Sequence, residues 1–235
     1  MLQDIKSLYG RKLGASDGAL GHVKDLYFDD MTWTVRYLVA DTGSWLTGRQ
    51  VLLSPRAFGP ASSGMSDPDT LRVHLTRKQI ENSPSIDTHR PVSRQDEAEY
   101  HRYYGWSTYW PDGAWSGAGD LGGVVPPPDP APSRHHGHNQ RDDRHLHSTK
   151  AVTGYRIQAT NGPLGSVSSF LVDGKDWTIC DLVVETGPWY AGKNIFLRTK
   201  NITRISHEDS TVWVNLAIED LKLTAEKPLA QAGLS

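Results

Sequence analysis

The sequence has a single cysteine, Cys180, among 235 residues. One cysteine excludes an internal disulfide and a cysteine-based zinc site, because each of these needs at least two thiols. Cys180 lies in the apolar run ICDLVVE, where no sequence neighbour would lower the pKa of its thiol. We therefore expect Cys180 to be a small core residue and not a nucleophile.

Long apolar stretches are also missing. No run approaches the roughly 20 apolar residues that a membrane-spanning helix needs. The opening segment MLQDIKSLYG lacks the basic, apolar and small-residue regions of a signal peptide. These absences predict a cytoplasmic protein with no transmembrane segment.

The chain has no surplus of basic residues either, since its formal net charge is -2. Residues 82–147 hold 6 Lys and Arg against 9 Asp and Glu. Binding to a phosphate backbone usually depends on a basic surplus, so nucleic acid is a possible partner but not a favoured one. The sequence contains no Walker loop, dinucleotide-binding fingerprint, H-E-x-x-H helix or G-x-S-x-G elbow. We expect no enzymatic activity and no cofactor.

The sequence does contain an internal repeat. Residues 18–58 align with residues 162–202 at a constant offset of 144 without a gap, giving 14 identities in 41 positions. The loop DTGSWLTGRQVLL recurs as ETGPWYAGKNIFL. A loop that is duplicated with its surroundings indicates a repeated scaffold unit and not a second active site.

Each repeat is typical of a small antiparallel β-structure. Apolar positions such as Val23, Leu26 and Phe28 are three and two residues apart, and this step predicts a β-bulge near Lys24-Asp25 and near Ser168-Ser169. Turn-rich segments separate the strands, and a short helical stretch follows the last one. We expect a mainly β protein of two small antiparallel barrels, each ending in a helical turn.

The series G-x-x-L-G-x-V, a hairpin, an apolar strand and TG-x-W-x-x-G-[RK]-x-[VI]-[LF]-L resembles the PRC-barrel domain. That family is named for the H subunit of the photosynthetic reaction centre, and a ribosome maturation factor shares it. The resemblance covers both repeats, and the stretch from Ser83 to Trp110 is similar to the region after the first barrel in stand-alone bacterial members with two barrels. The membrane helix of the reaction centre subunit and the N-terminal domain of the ribosomal factor have no counterpart in these residues.

The resemblance implies a non-enzymatic module for protein interaction or assembly, and it brings no catalytic residues. An RNA- or ribosome-associated factor is one alternative, and a peripheral accessory protein of a photosynthetic or respiratory membrane complex is another. The partner is not identified. Because duplicated units share self-complementary surfaces, we expect the barrels to pair within the chain or between two chains of a homo-oligomer such as a dimer.

The domain boundaries follow from the repeat. Residues 1–81 form the first unit, 82–149 a linker, 150–224 the second unit and 225–235 a tail. Within the linker we predict a short helix at 94–104, an aromatic-rich stretch at 100–115 and a disordered Pro/His-rich stretch at 124–147. The histidines of that stretch include His135, His136 and His138, which are weak candidates for a metal site because a disordered segment gives ligands no support.

Aromatic and basic side chains provide the candidate partner-binding residues. Trp45 and Trp189 either close the end of a barrel or stand out as anchors, and Arg49 and Lys193 beside them are most simply solvated charges. The linker aromatics either pack against the barrels or bind a partner. Those chosen as candidates are Tyr104, Trp106, Tyr109 and Trp110.

Overall fold

The computed structural model describes residues 2–46, 49–58, 70–84, 94–106, 145–187 and 194–220. These residues form two β-sheets, three short α-helices, several 3-10 turns and a helical stretch at 218–220. In chain order the strands are β1 (Leu2–Asp4), β2 (Lys12–Ala15), β3 (Gly18–Asp29), β4 (Thr34–Asp41), β5 (Gln50–Leu53), β6 (Thr70–Arg72), β7 (Leu146–Ser148), β8 (Arg156–Ala159), β9 (Gly162–Asp173), β10 (Ile179–Thr186), β11 (Asn194–Arg198), β12 (Ile202–Ser206) and β13 (Thr211–Val214). The helices are α1 (Arg77–Glu81), α2 (Arg94–Tyr104) and α3 (Thr149–Val152).

The two repeats form two sheets with matching strand order. The first sheet has the order β5-β4-β3-β2-β6 with β7 beside β3, and the second has the order β11-β10-β9-β8-β13-β12 with β1 beside β9. The prediction of a mainly β protein is confirmed. The purely antiparallel expectation is wrong for one pair in each sheet, because β6 runs parallel to β2 and β13 runs parallel to β8. In each unit the last strand returns beside the first without a direct hairpin between them.

The edges of the second sheet are joined by the chain itself. Strand β11 lies at one edge, a three-residue 3-10 turn at Thr199–Asn201 follows it, and β12 then lies at the other edge. Among the described residues, no ladder of hydrogen bonds closes either sheet into a barrel. The barrel therefore stays a prediction.

Each sheet includes one short strand that the other half of the chain contributes. Strand β1 pairs with β9, so that Leu2 lies opposite Asp173, and β7 pairs with β3, so that Leu146 lies opposite Asp29. Leu2 and Leu146 are related by the repeat offset of 144, and so are Asp29 and Asp173. The exchange is therefore reciprocal and gives the molecule a pseudo-twofold axis.

The contacts along this axis form what we call the seam: the strand pairs β1–β9 and β7–β3 with the segments around Trp33 and Trp177. The N–H of Val35 donates to the Trp177 carbonyl over 2.9 Å, and the N–H of Ile179 donates to the Trp33 carbonyl over 2.7 Å. Both tryptophans have a positive φ, 54° and 63°. The two units are thus joined within one chain by hydrogen bonds that repeat the symmetry.

The position of β7 shows that the predicted end of the Pro/His-rich stretch, at His147, is wrong. The Pro/His-rich stretch is predicted to run as a linker to His147, but Leu146–Ser148 form a strand of the first sheet. A three-residue strand is too short to leave an alternating pattern, so nothing in its own sequence predicts it. The predicted disorder of 124–144 falls outside the described residues.

The predicted bulges are confirmed in both long strands. The register between β3 and β4 shifts between Val23 and Asp25, and that between β9 and β10 shifts between Val167 and Ser169. The bulges bend the strands so that their inner faces enclose apolar side chains. One hydrophobic core results, and it crosses the seam, where the rings of Phe28 and Phe170 lie 5.4 Å apart.

The helices also agree with the sequence. Helix α2 has the predicted bounds, and Gly105 follows it with a φ of +67°. Helix α1 begins with a capping box in which Thr76 and Gln79 bond each other's backbone N–H groups. In the second unit residues 218–220 are helical at the matching place.

Candidate functional site

Trp45 lies half-buried against the core of the first unit. Its Nε1–H donates to the Leu20 carbonyl over 2.7 Å, and the Arg77 guanidinium lies over the ring, 4.4 Å from its centroid. A buried indole N–H with a partner and a cation on its outer face is typical of a structural cap. Trp189 and Lys193, the counterparts of Trp45 and Arg49, are outside the described residues.

Arg49 holds the chain together instead of facing solvent. Its guanidinium donates to three carbonyl oxygens at and just after the end of α1: Glu81 at 3.1 Å, Ser83 at 2.7 Å and Pro84 at 2.9 Å. The interpretation of Arg49 as a solvated charge is therefore wrong. The partners are more than 30 residues away in sequence, so spacing could not predict them.

Helix α2 covers the outer face of the first sheet. Tyr100, which is 1% exposed, packs on Tyr37, Val39 and Leu52, and Tyr104 and Trp106 pack around them. The His101 Nε2 lies 3.0 Å from the Tyr37 hydroxyl, which fixes the rotation of the helix. Burial raises the pKa of Tyr100 well above its ordinary value.

The described linker aromatics thus pack within the chain. The rings of Tyr104 and Trp106 are stacked with centroids 4.5 Å apart. Of the two interpretations of Tyr104 and Trp106, the structure places them in internal packing against the first sheet. Tyr109 and Trp110 lie outside the described residues.

A small cavity of about 170 Å³ lies where α2 approaches the seam. Arg36, Arg56, His101 and Asp176 are among the residues that line it. The Arg36 Nη2 lies 3.3 Å from Asp29 Oδ2, and His101 is bonded to Tyr37 as described above. The side chains that line the cavity therefore hold α2 and the β3–β4 turn in place through these bonds.

The matching outer face of the second sheet is different. Leu52 of the first sheet is 1% exposed, whereas its counterpart Phe196 is 43% exposed. Leu2, the counterpart of Leu146, is 45% exposed, and Val183 is buried beside Phe196 in the neighbouring strand. We call Leu2, Val183 and Phe196 the Phe196 face.

Polar residues stand beside the Phe196 face where the first sheet has Tyr37. The counterpart of Tyr37 is Asp181, and its Oδ1 lies 3.2 Å from the Arg198 Nε. Burial raises the pKa of Asp181, although Arg198 opposes the shift. The Arg198 side chain remains 62% exposed, so it presents positive charge at the edge of the face.

The sequence predicts that Cys180 is a core residue, but the structure does not bury it fully. The register between β10 and β9 shifts between Ile179 and Asp181, and this irregularity leaves Cys180 half-exposed. Burial and the nearby Asp181 carboxylate raise the pKa of its thiol. A raised thiol pKa opposes nucleophilic chemistry, because the thiolate is the reactive form.

A group of titratable side chains lies at the seam on the β7 side. His147, 2% exposed, has its Nε2 3.0 Å from Asp30 Oδ2 and its Nδ1 2.7 Å from the Nε2 of His207. The His207 Nδ1 lies 2.7 Å from the Tyr155 hydroxyl, and the His145 Nδ1 lies 2.8 Å from Asp30 Oδ1. No local pattern marks His207 or Tyr155, so sequence reasoning missed this cluster.

The surroundings lower the pKa of two of these groups, His207 and Asp30. Burial and then the charge of His147 lower the pKa of His207, while Asp30 acts in the opposite direction. Burial alone would raise the pKa of Asp30, but hydrogen bonds from His147 and His145 lower it. The cluster therefore favours an ionised Asp30 and a neutral His207 near neutral pH.

The described part of the chain contains no group of three or more His, Cys, Asp or Glu residues arranged to hold a metal ion. The weak metal candidates His135, His136 and His138 lie outside it. None of the helices in the described ranges has the length and apolar character needed to cross a membrane. No protein-family model matches the chain, and no curated protein matches it either.

Proposed function

We propose that this chain is a non-enzymatic protein-interaction or assembly module of two PRC-type barrels, in which the Phe196 face receives a partner. The observation that carries the proposal is the unequal exposure of two equivalent positions, 1% for Leu52 and 43% for Phe196. Exposed aromatic side chains next to buried aliphatic ones are typical of interface cores.

The barrel part of the proposal is supported by the matching strand orders of the two sheets. In the second unit the chain passes from one edge of the sheet to the other through a 3-10 turn of three residues. In the first unit the equivalent 3-10 turn is Pro55–Ala57. An isolated bridge pairs Phe58, the next residue, with Val73 beyond β6. Chain continuity at this corner is how a strongly bent sheet brings its edges together.

The first sheet indicates the chemistry of the partner. There an 11-residue helix places Tyr100 and Tyr104, one turn apart, over the positions equivalent to the Phe196 face. The exposed Arg198 beside Phe196 adds positive charge at its edge. We expect an amphipathic helix with aromatic residues one turn apart and a carboxylate that reaches Arg198.

A capture experiment with the full chain tests the proposal. The wild type, Phe196→Asp and Met31→Asp are immobilised in parallel, and bound proteins from the source cell are quantified. Met31 is the matched control, because it is 72% exposed and lies in the β3–β4 turn, away from β11. We expect Phe196→Asp to lose a specific partner by about tenfold or more, since an aromatic anchor contributes about 1.4 kcal/mol or more.

Two further results decide the interpretation. Circular dichroism must show that both variants are folded, and the captured partner must contain the expected amphipathic helix. Equal retention of every captured protein by the wild type and Phe196→Asp would contradict the proposal.

A further inference from the structure

A continuous chain of polar contacts crosses the seam on the β7 side. It runs from Tyr155 through His207 and His147 to Asp30, with successive distances of 2.7, 2.7 and 3.0 Å. Tyr155 and His207 belong to the second unit, Asp30 belongs to the turn after β3, and β7 carries His147 between them. The chain therefore connects the two units through two histidine rings.

One arrangement of protons satisfies the hydrogen bonds that join Tyr155, His207 and His147. The Tyr155 hydroxyl donates to Nδ1 of His207, and the Nε2–H of His207 donates to Nδ1 of His147. The Nε2–H of His147 then lies 3.0 Å from Asp30 Oδ2, an electrostatic contact without hydrogen-bond geometry. A neutral imidazole has one donor and one acceptor nitrogen, so both rings are neutral and Asp30 is ionised in this arrangement. It agrees with the lowered pKa of His207 and of Asp30.

A single additional proton can be accommodated by reversing the bond directions. One ring then carries the added proton, and the contact between His147 Nδ1 and His207 Nε2 still joins one donor to one acceptor. A second proton cannot be accommodated. It would place two N–H groups 2.7 Å apart on positive rings whose centroids are separated by 4.7 Å.

The surroundings offer little compensation for the second charge. Asp30 is already shared by His147 and His145, and the ring of Phe28 lies 5.6 Å from that of His147. Among the described residues, His207 has no carboxylate at ion-pair distance, and its contacts are the His147 ring and Tyr155. His207 itself is exposed, so solvent protons reach the cluster through it.

Among the described residues, the opposite side of the seam has no such cluster. At the repeat offset, the counterpart of His147 is Gln3 and the counterpart of Asp30 is Gly174. Both sides form the same strand pairing, so the pairing itself does not need histidine. The titratable groups are thus an addition to one side of a duplicated scaffold.

We propose that His147 and His207 form a proton-operated latch that holds β7 and the second unit together at neutral pH and releases them in mild acid. Release occurs when acid places an N–H on both facing nitrogens, His147 Nδ1 and His207 Nε2, because this 2.7 Å contact then joins two donors and becomes repulsive. The Gln3 side of the seam, which has no titratable group at these positions, stays closed. Acid therefore loosens one side of the seam and leaves the other intact.

The direction of the pH dependence follows from proton linkage. Because the pKa of His207 is lowered from its ordinary 6.5, the unfolded chain binds more protons at this residue than the folded chain. Its contribution to stability is complete above 6.5 and is lost as the pH falls below that value. Asp30, whose pKa is lowered from 3.8, acts only in a more acidic range. One proton of difference changes the unfolding equilibrium constant about tenfold per pH unit.

The test is denaturant unfolding of the full chain between pH 7.5 and pH 5. We compare the wild type with His207→Gln, which can still donate to His147 but does not titrate. The control is His74→Gln, an exposed histidine that follows β6 in the first unit. The wild type and the control are expected to lose stability about tenfold per pH unit below 6.5, whereas His207→Gln is expected to change much less. A pH dependence of His207→Gln equal to that of the wild type overturns the latch.

A measurement on the wild type keeps the inference testable if His207→Gln does not fold. Amide hydrogen exchange, expressed as protection factors, reports the opening of Leu146–Ser148 and of Leu2–Asp4 separately. NMR of the His207 ring follows its protonation. Over the same pH range we expect protection of Leu146–Ser148 to fall by more than tenfold, while protection of Leu2–Asp4 is retained. Unchanged protection of Leu146–Ser148 down to pH 5 overturns the proposal.

Discussion

Gly21 and Gly165 let two strands approach more closely than any other residue would allow. A Cβ added to Gly21 would lie 1.9 Å from the Asp41 carbonyl oxygen, and one added to Gly165 would lie 2.2 Å from that of Glu185. Both obstacles are backbone atoms of the next strand, which no side-chain rotation can move. The repeat therefore retains glycine at these positions for a steric reason.

We predict that Gly165→Ala destabilises the chain by about 3 kcal/mol, the upper end of the overpacking range. Gly154→Ala is the control, because Gly154 also has a positive φ, +90°, but a Cβ there meets nothing within 4 Å. Its expected cost is about 1–2 kcal/mol, from the left-handed backbone alone. Denaturant unfolding measures both, and equal losses would contradict the steric explanation.

At the scale of elements, α2 is the largest difference between the two units. It turns the outer face of the first sheet into a second small core around Tyr37, Val39 and Leu52. The second sheet leaves Phe196 exposed at the equivalent place. One scaffold thus presents two surfaces, one closed by its own helix and one open.

We predict that Tyr100→Ala lowers the free energy of unfolding by about 3–5 kcal/mol, because it leaves a cavity between α2 and the first sheet. Tyr103→Ala is the matched control in the same helix. Tyr103 is 41% exposed and its hydroxyl donates to the Gln79 carbonyl, so its loss is expected to be about 1 kcal/mol. Comparable losses for the two variants in denaturant unfolding would show that α2 does not depend on this packing.

At the scale of the whole molecule, neither unit is complete without the other. Strand β1 completes the second sheet, β7 completes the first, and a shared core crosses the seam. The chain therefore folds as a pair of interdependent units and not as two independent domains on a tether.

We predict that fragments 1–106 and 145–235, expressed together, associate into a one-to-one complex. The reason is that each fragment carries the strand that the other one lacks. Size exclusion with light scattering measures the complex, and fragments that elute as two separate folded monomers would contradict the reciprocal exchange.

The features that the sequence predicted depend on local patterns. The repeat, the bulges near Lys24 and Ser168 and helix α2 follow from residue spacing, capping and glycine positions within short windows. Each is written in neighbouring residues, so a single sequence suffices to find it.

The tertiary structure decided everything that joins residues distant in the sequence. The exchange of β1 and β7, the carbonyl contacts of Arg49 and the bond between His147 and His207 span between about 30 and 170 residues, and no local pattern records them. The exposure of Cys180 also depends on a distant contact, because the register between β10 and β9 shifts at this residue. The sequence by itself determined that there are two copies of one β-unit. Only the packing of distant strands determined which surface of each copy is covered, because burial depends on which residues meet in space.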